Sequence, residues 1–329
     1  MVLSVRLNTR AGLLAISAGA VLWGTSGVVM HAVHDRSGLS AAAVGFYRLF
    51  TAALVLVAVR GRDAVRLARR SGPRRRWALV VAGVGLGAYQ ALYFVSVEDV
   101  GVSLSTLISI GVAPVVLTAG AALVRRRWPS PSSLATLAAA IAGLALICLP
   151  SGTAGAGPRP VLGVLAAVAC GLVYAGATAV NQRLAVADPL TLAGATSAIG
   201  AAALLPVVLP GGITFAVTPW TIGALLYLGV VTTAVGYGLF FTGLRSTPAE
   251  VAAVLTLLEP LAATVLAIGL LGERLTAAGA VGSALLLAAV AWLYLRPGQS
   301  ARAAGSSSGV PATCARAASG DSFDRNASR

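Results

Sequence analysis

The chain has 329 residues, 57% of them hydrophobic and only 10% charged, and its mean hydropathy is +0.88. Soluble domains carry about a quarter of their residues as charges, so this composition excludes a soluble globular protein and describes an integral membrane protein. The net charge of +14 comes from arginine alone, but the arginines lie between apolar runs with no basic face interleaved with aromatics, so no nucleic-acid partner is expected.

Ten apolar runs are long enough to cross about 30 Å of hydrocarbon at 1.5 Å per residue. They cover approximately 11–33, 39–59, 77–97, 102–124, 132–149, 161–180, 190–209, 220–244, 249–271 and 275–295. The first follows Arg6 and Arg10 as a signal peptide would, yet it is too long for a typical apolar signal region and has no clean cleavage site, so it reads as an uncleaved span. His31 and His34 fall at its far end as solvated side chains. Residues 60–76 read as a loop whose eight arginines anchor the topology, and Glu98-Asp99 as part of a short outer loop. With the N-terminus inside, twenty arginines lie on the inner face and three (Arg36, Arg159 and Arg274) on the outer, so both termini are expected in the cytoplasm. Arg48 lies within the second span. Cys148, Cys170 and Cys314 have neither CxxC nor metal-ligand spacing, so no disulfide framework, metal site or cofactor is expected. After Leu295 the chain turns rich in Ser, Gly, Ala and Arg, which predicts a disordered cytoplasmic tail over 296–329.

The ninth run holds the most costly pair in the chain, Glu259-Pro260. A charged side chain at the centre of a membrane helix costs roughly 2.5–3.5 kcal/mol on insertion scales. Proline removes one backbone donor and disturbs the carbonyl four residues back, here that of Thr256. Both are tolerated only where protein or a wet cavity supplies partners, which marks Glu259-Pro260 as a site candidate.

The two halves repeat each other. Val112-Ala113-Pro114 aligns with Leu258-Glu259-Pro260 at an offset of 146, at which Gly83 also meets Gly229 and Phe94 meets Phe240. Nearer the start of each half the offset is 151, pairing Trp23-Gly24 with Tyr174-Ala175. Five spans per half require the second copy to enter from the opposite side. Inverted repeats with proline-interrupted spans at matching positions point to a secondary transporter with a midplane site. The expected fold is therefore an all-α membrane protein of ten transmembrane helices in two inverted five-helix repeats. Its parts are a cytoplasmic N-terminus (1–10), a first repeat (11–149), an outer linker (150–160), a second repeat (161–295) and the tail.

Several short motifs also carry a resemblance. Leu22-Trp23-Gly24, Phe46-Tyr47-Arg48, Leu258-Glu259-Pro260-Leu261 and Gly272-Glu273-Arg274-Leu275-Thr276, with Gly282 beyond, resemble the EamA-type transporters of the drug/metabolite transporter superfamily. The resemblance covers about 11–295 and implies ten helices, a central cavity, alternating access and export of small metabolites from a bacterial cell across its plasma membrane. The chain departs from it after the fourth span, where an acidic residue is expected and Arg125-Arg126-Arg127 stands instead.

Candidate cavity residues are Trp23, Tyr47, Arg48, Tyr89, Gln90, Tyr93, Tyr174, Tyr237, Thr256 and Glu259, with Asn181 as a further polar side chain. Trp and Tyr are equally at home in interfacial belts, whereas Gln90, an amide well inside a span, needs polar partners. Glu259 reads as a proton-coupling or substrate-amine group, against the plainer alternative of a buried structural carboxylate. Arg48 lies at a similar depth, and an ion pair with Glu259 would neutralise both charges. Pro114 and Pro260 are expected to kink or open their helices. With Arg48 the one cation clearly inside a span, phosphorylated substrates fit poorly. The partners expected are the lipid bilayer and a small neutral, zwitterionic or amphipathic molecule, amino-acid-like, aromatic or drug-like. The competing class is a membrane enzyme acting on a lipid or lipid-linked substrate, for which the sequence offers no paired catalytic constellation. No Walker loop is present.

Overall fold

The computed structural model describes residues 9–148, 158–271 and 276–295. The tail, most of the outer linker and Gly272-Glu273-Arg274-Leu275 lie outside the described residues. Among those described, every regular element is helical, in the order α1 (Thr9–Ser37), α2 (Ala41–Arg70), α3 (Pro73–Arg125), α4 (Pro131–Cys148), α5 (Pro160–Leu184), α6 (Pro189–Val208), α7 (Pro219–Leu226), a π-helical stretch (Tyr227–Val235), α8 (Gly236–Leu244), α9 (Ala249–Leu255), α10 (Leu258–Leu271) and α11 (Ala277–Leu295). Nine of the described segments are long and apolar enough to cross a membrane.

Local chemistry explains where these helices begin. Proline opens α3 through α7, where its fixed φ suits the first turn and its missing donor costs nothing. Ser40, Asp188 and Thr218 cap α2, α6 and α7 by accepting from the backbone N–H three residues on.

The longest segment, α3, has 53 residues and spans about 80 Å at 1.5 Å per residue, far more than one crossing needs. It holds two helical arms across a kink at Gly101, whose φ of 79° and ψ of 165° form a conformation open essentially to glycine alone. The turn is tight enough that Ser96 and Ser105, one on each arm, share a hydrogen bond of 2.7 Å. Asp99 is therefore not a loop residue. It is 1% exposed, within 3.5 Å of Arg159 at the start of α5.

Residues 60–76 differ from expectation in the same way. Helix α2 runs on to Arg70, and only Ser71-Gly72 separates it from α3. Nothing in this stretch breaks a helix before Ser71-Gly72-Pro73. Asp63 pairs with Arg60 and Arg66 at helical spacing, and Leu67 packs on the core.

Packing joins the two halves rather than keeping them apart. Helix α2 lies on α6, α4 on α11, α3 on α5 and α6, and α1 on α8 and α10. Small residues permit these close crossings, as expected where lipid supplies no hydrophobic drive between helices. At the α4–α11 crossing, a Cβ on Gly143 would lie 2.6 Å from the Gly282 carbonyl oxygen, and a Cβ on Gly282 would lie 2.6 Å from that of Gly143. The largest buried side chains, among them Phe240, Phe241, Leu13, Ile16 and Leu192, fill the space between α1, α6 and α8.

Candidate functional site

A cavity of about 740 Å³ opens among α1, α2, both arms of α3, α4, α5, α8, α10 and α11. That is the size of a site for a small organic molecule. Its wall includes Trp23, Arg48, Tyr89, Gln90, Tyr93, Tyr174, Tyr237, Thr256 and Glu259, so residues spread over more than 230 positions of sequence meet in one place.

Glu259 owes its position to a break in the helix. Pro260 has no N–H to offer the Thr256 carbonyl, and that oxygen accepts from the Glu259 N–H at 3.0 Å, one residue short of the α-helical register. The Leu257 N–H likewise reaches back three residues, to Val254 O at 3.2 Å. Helix α9 thus ends at Leu255 and α10 starts at Leu258, with Glu259 in its first turn. Interrupting the span creates a helix N-terminus inside it, whose partial positive charge favours a carboxylate there. The carboxylate accepts no hydrogen bond and makes no ion pair with any described residue. Glu259 itself lines the cavity.

Opening is seen at only one of the two prolines. The second arm of α3 keeps helical backbone through Pro114, and the break in that segment is at Gly101. Pro260 lines the cavity, whereas Pro114 is buried outside it.

Arg48 faces the same cavity from α2 but does not reach Glu259, and no ion pair joins them within 4.0 Å. Its Nε donates instead to Thr233 Oγ1 at 3.3 Å, and its second contact is with the Met30 sulfur at 3.7 Å. Thr233 belongs to the π-helical stretch, and both its hydroxyl and that of Thr232 bond to Leu228 O, at 2.8 and 2.6 Å. Widened turns of this kind occur often at functional sites, because the extra residue re-aims the side chains that follow. The expected ion pair is replaced by two opposite charges on separate parts of one wall.

Aromatic rings line much of the remaining surface. Trp23 packs 4.9 Å from Tyr237, and Tyr89 lies 5.4 Å from Tyr174 and 6.4 Å from Tyr93. The Tyr93 hydroxyl is held by Thr106 at 2.8 Å. Gln90, 6% exposed, makes no side-chain hydrogen bond to another described residue and lines the cavity. Among the described residues, no three His, Cys, Asp or Glu side chains converge as a metal-binding group.

Residues 10–149 and 161–295 match the model of the EamA-like transporter family. The chain belongs to this family. It is a multi-pass membrane transporter. An uncharacterized transporter of Bacillus subtilis (strain 168), YwfM, is 31% identical over 280 residues, covering 83% of this chain and 90% of its own length. An uncharacterized inner membrane transporter of Salmonella typhimurium, YicL, is 27% identical over 304 residues, covering 90% of this chain and 99% of its own. One solved crystal structure, 21% identical, shares the fold with a TM-score of 0.70 over 85% of this chain and 96% of that one.

Tyr47 is the cavity candidate that the structure places elsewhere in this transporter. Neighbouring helix residues point about 100° apart, and while Arg48 faces the cavity Tyr47 turns to the chain around Ile213 and Phe215. Its hydroxyl donates to Ile213 O at 2.6 Å and its ring meets Phe215 edge-on at 5.3 Å. Tyr47→Phe should therefore lower stability by about 1 kcal/mol, read as a drop in melting temperature, and leave flux unchanged. Asn181 also lies outside the cavity, buried beside Thr178 and Phe241. In the other direction, sequence reasoning missed Ser26, Met30, Ser103, Thr106 and Thr264. Helical period was the available signal. Met30 stands seven residues from Trp23 and Thr264 four from Pro260, each on the face of a residue that lines the wall.

Proposed function

We propose that this protein is a secondary transporter that exports a small zwitterionic or amphipathic metabolite across the bacterial plasma membrane, amino-acid-like, aromatic or drug-like, by alternating access. The observation that carries the reading is the cavity of about 740 Å³, with an unpartnered carboxylate at Glu259, a cation at Arg48 and aromatic walls. Two opposite charges facing the same space without touching call for a ligand that brings both counter-charges, or for a proton on the carboxylate. Rings of Trp23, Tyr89, Tyr93, Tyr174 and Tyr237 add apolar surface and attract a substrate cation.

Alternating access follows from two halves related by inversion, and the packing supports that relation. Counting the arms of α3 separately gives ten crossings, five before the linker and five after. The contacts then fall into matched sets. Under the proposed inversion α2 corresponds to α6 and α4 to α11, and both of these pairs touch; the α3–α6 contact would be matched by α2 with the π-helical stretch, and α3–α5 by α1 with α8 and α10. Glycines repeat the match, since Gly83 packs on Ile199 of α6 and its counterpart Gly229 packs on Thr51 of α2. Glu259 has Ala113 as its counterpart, so the acid belongs to one half alone.

The test compares metabolites inside and outside cells that make or lack the protein, followed by flux of the hits in proteoliposomes. External accumulation of an amine- or carboxylate-bearing metabolite, reproduced by the purified protein, is expected. No difference in any metabolite or drug would reject transport as the function.

A further inference from the structure

The second arm of α3 and the span made of α9 and α10 flank the cavity together, but they are not equally close along their length. At one end Val102, Ser103, Ile268 and Thr276 all line the cavity, and Val102 is 61% exposed. At the other end the same helices touch. Ala113 and Leu117 pack with Ala175, Ala249 and Ala253 into a buried apolar plug. Beyond the plug, Arg125 at the last turn of α3 donates to Glu250 in the first turn of α9 at 2.8 Å. Gln182, near the end of α5, closes the third side. Its amide nitrogen donates to Thr247 O at 3.0 Å and its amide oxygen accepts from the Ala249 N–H at 3.2 Å.

We infer that Arg125, Glu250 and Gln182 are the lock that holds the arginine-rich end of the transporter shut while the cavity is open at the other, and that α9 swings away at the Thr256–Leu257 break when it releases. Each charge suits the end of its own helix, a cation at a C-terminus and an anion at an N-terminus. The pair stays partly exposed, with side chains 37% and 18% accessible. Such a pair is weak, which fits a contact that must open in every cycle. The broken span supplies the joint, because α9 and α10 are separate helices with no α-helical hydrogen bond at Leu257 or Glu259 to splint them. Arg125 and Glu250 face each other across the two halves, one in α3 and the other in α9.

The lock rests on the transport reading, but its test needs no substrate, so the two fail separately. The full chain carrying Cys148→Ala, Cys170→Ala and Cys314→Ala is placed in nanodiscs, where both faces meet a membrane-impermeant maleimide. One reporter is Ala253→Cys, in the plug, and the other is Val102→Cys, at the open mouth. Adding Glu250→Gln should speed labelling at the Ala253 position by about 2- to 5-fold without raising it at Val102. The exchange Arg125→Glu with Glu250→Arg should bring labelling to within about twofold of the parent, below either single exchange. No acceleration at Ala253, acceleration at both positions, or additive acceleration in the exchanged protein would each overturn the lock.

Discussion

Replacing Glu259 by glutamine should leave a folded protein whose flux no longer responds to an imposed pH gradient. Glutamine keeps the size of the side chain and mimics the protonated acid at every pH. The carboxylate has no hydrogen-bond partner among the described residues, so no buried donor is stranded by the change. The proposed contact with the substrate's ammonium group should suffer instead. Losing a charge-assisted bond to an ammonium group costs about 1.5–3 kcal/mol, which is roughly 10- to 150-fold in affinity. Proteoliposome flux under pH gradients of either sign, with melting temperature measured alongside, reads both effects. Gradient-driven flux that survives in the glutamine variant would remove proton coupling from Glu259.

Gly282→Val should be the most damaging single change outside the cavity. A Cβ at Gly282 would lie 2.6 Å from the Gly143 carbonyl oxygen, 2.8 Å from the Leu146 Cβ and 3.1 Å from the Ile147 N. Two of these are backbone atoms of α4, which cannot rotate out of the way, so the helices must separate. Overpacking a close-fitted interior costs about 1–3 kcal/mol when side chains can adjust, and a backbone clash belongs at or above the upper end. The contrast is Gly269→Ala in α10, where a Cβ meets nothing within 4 Å and alanine is the better helix former. Detergent-solubilised yield and melting temperature should fall sharply in the first variant and hold in the second. Equal behaviour of the two would mean that the α4–α11 crossing is not close-packed in the membrane.

Much of the fold is legible in the sequence because hydropathy acts over short distances. The apolar runs coincide with the helices to within a few residues, and the prolines that open α3 to α7 mark starts that need no tertiary information. Residues 60–70 defeat that reading because polar helix and polar loop have the same hydropathy. Only the Arg60–Asp63–Arg66 spacing distinguishes them, and the distinction is small. Asp99 defeats it for a different reason. Gly101 reverses the chain in one residue, leaving no loop, and the carboxylate is drawn in under α5.

The sequence by itself determined that the chain is a membrane protein, where its spans fall, and that Glu259-Pro260 interrupts one of them. Each of these follows from local physics, either the transfer cost of a short stretch or one missing N–H. Tertiary structure alone decided which wall residues meet, that Arg48 is held by Thr233 and not by Glu259, and that Tyr47 turns away from its neighbour's cavity. Those outcomes depend on the rotation of each helix about its axis and on a π-helical register shift between Tyr227 and Val235. Helix rotation is set by how neighbouring helices pack, and in lipid the contrast between inward and outward faces is too faint for hydropathy to reveal it.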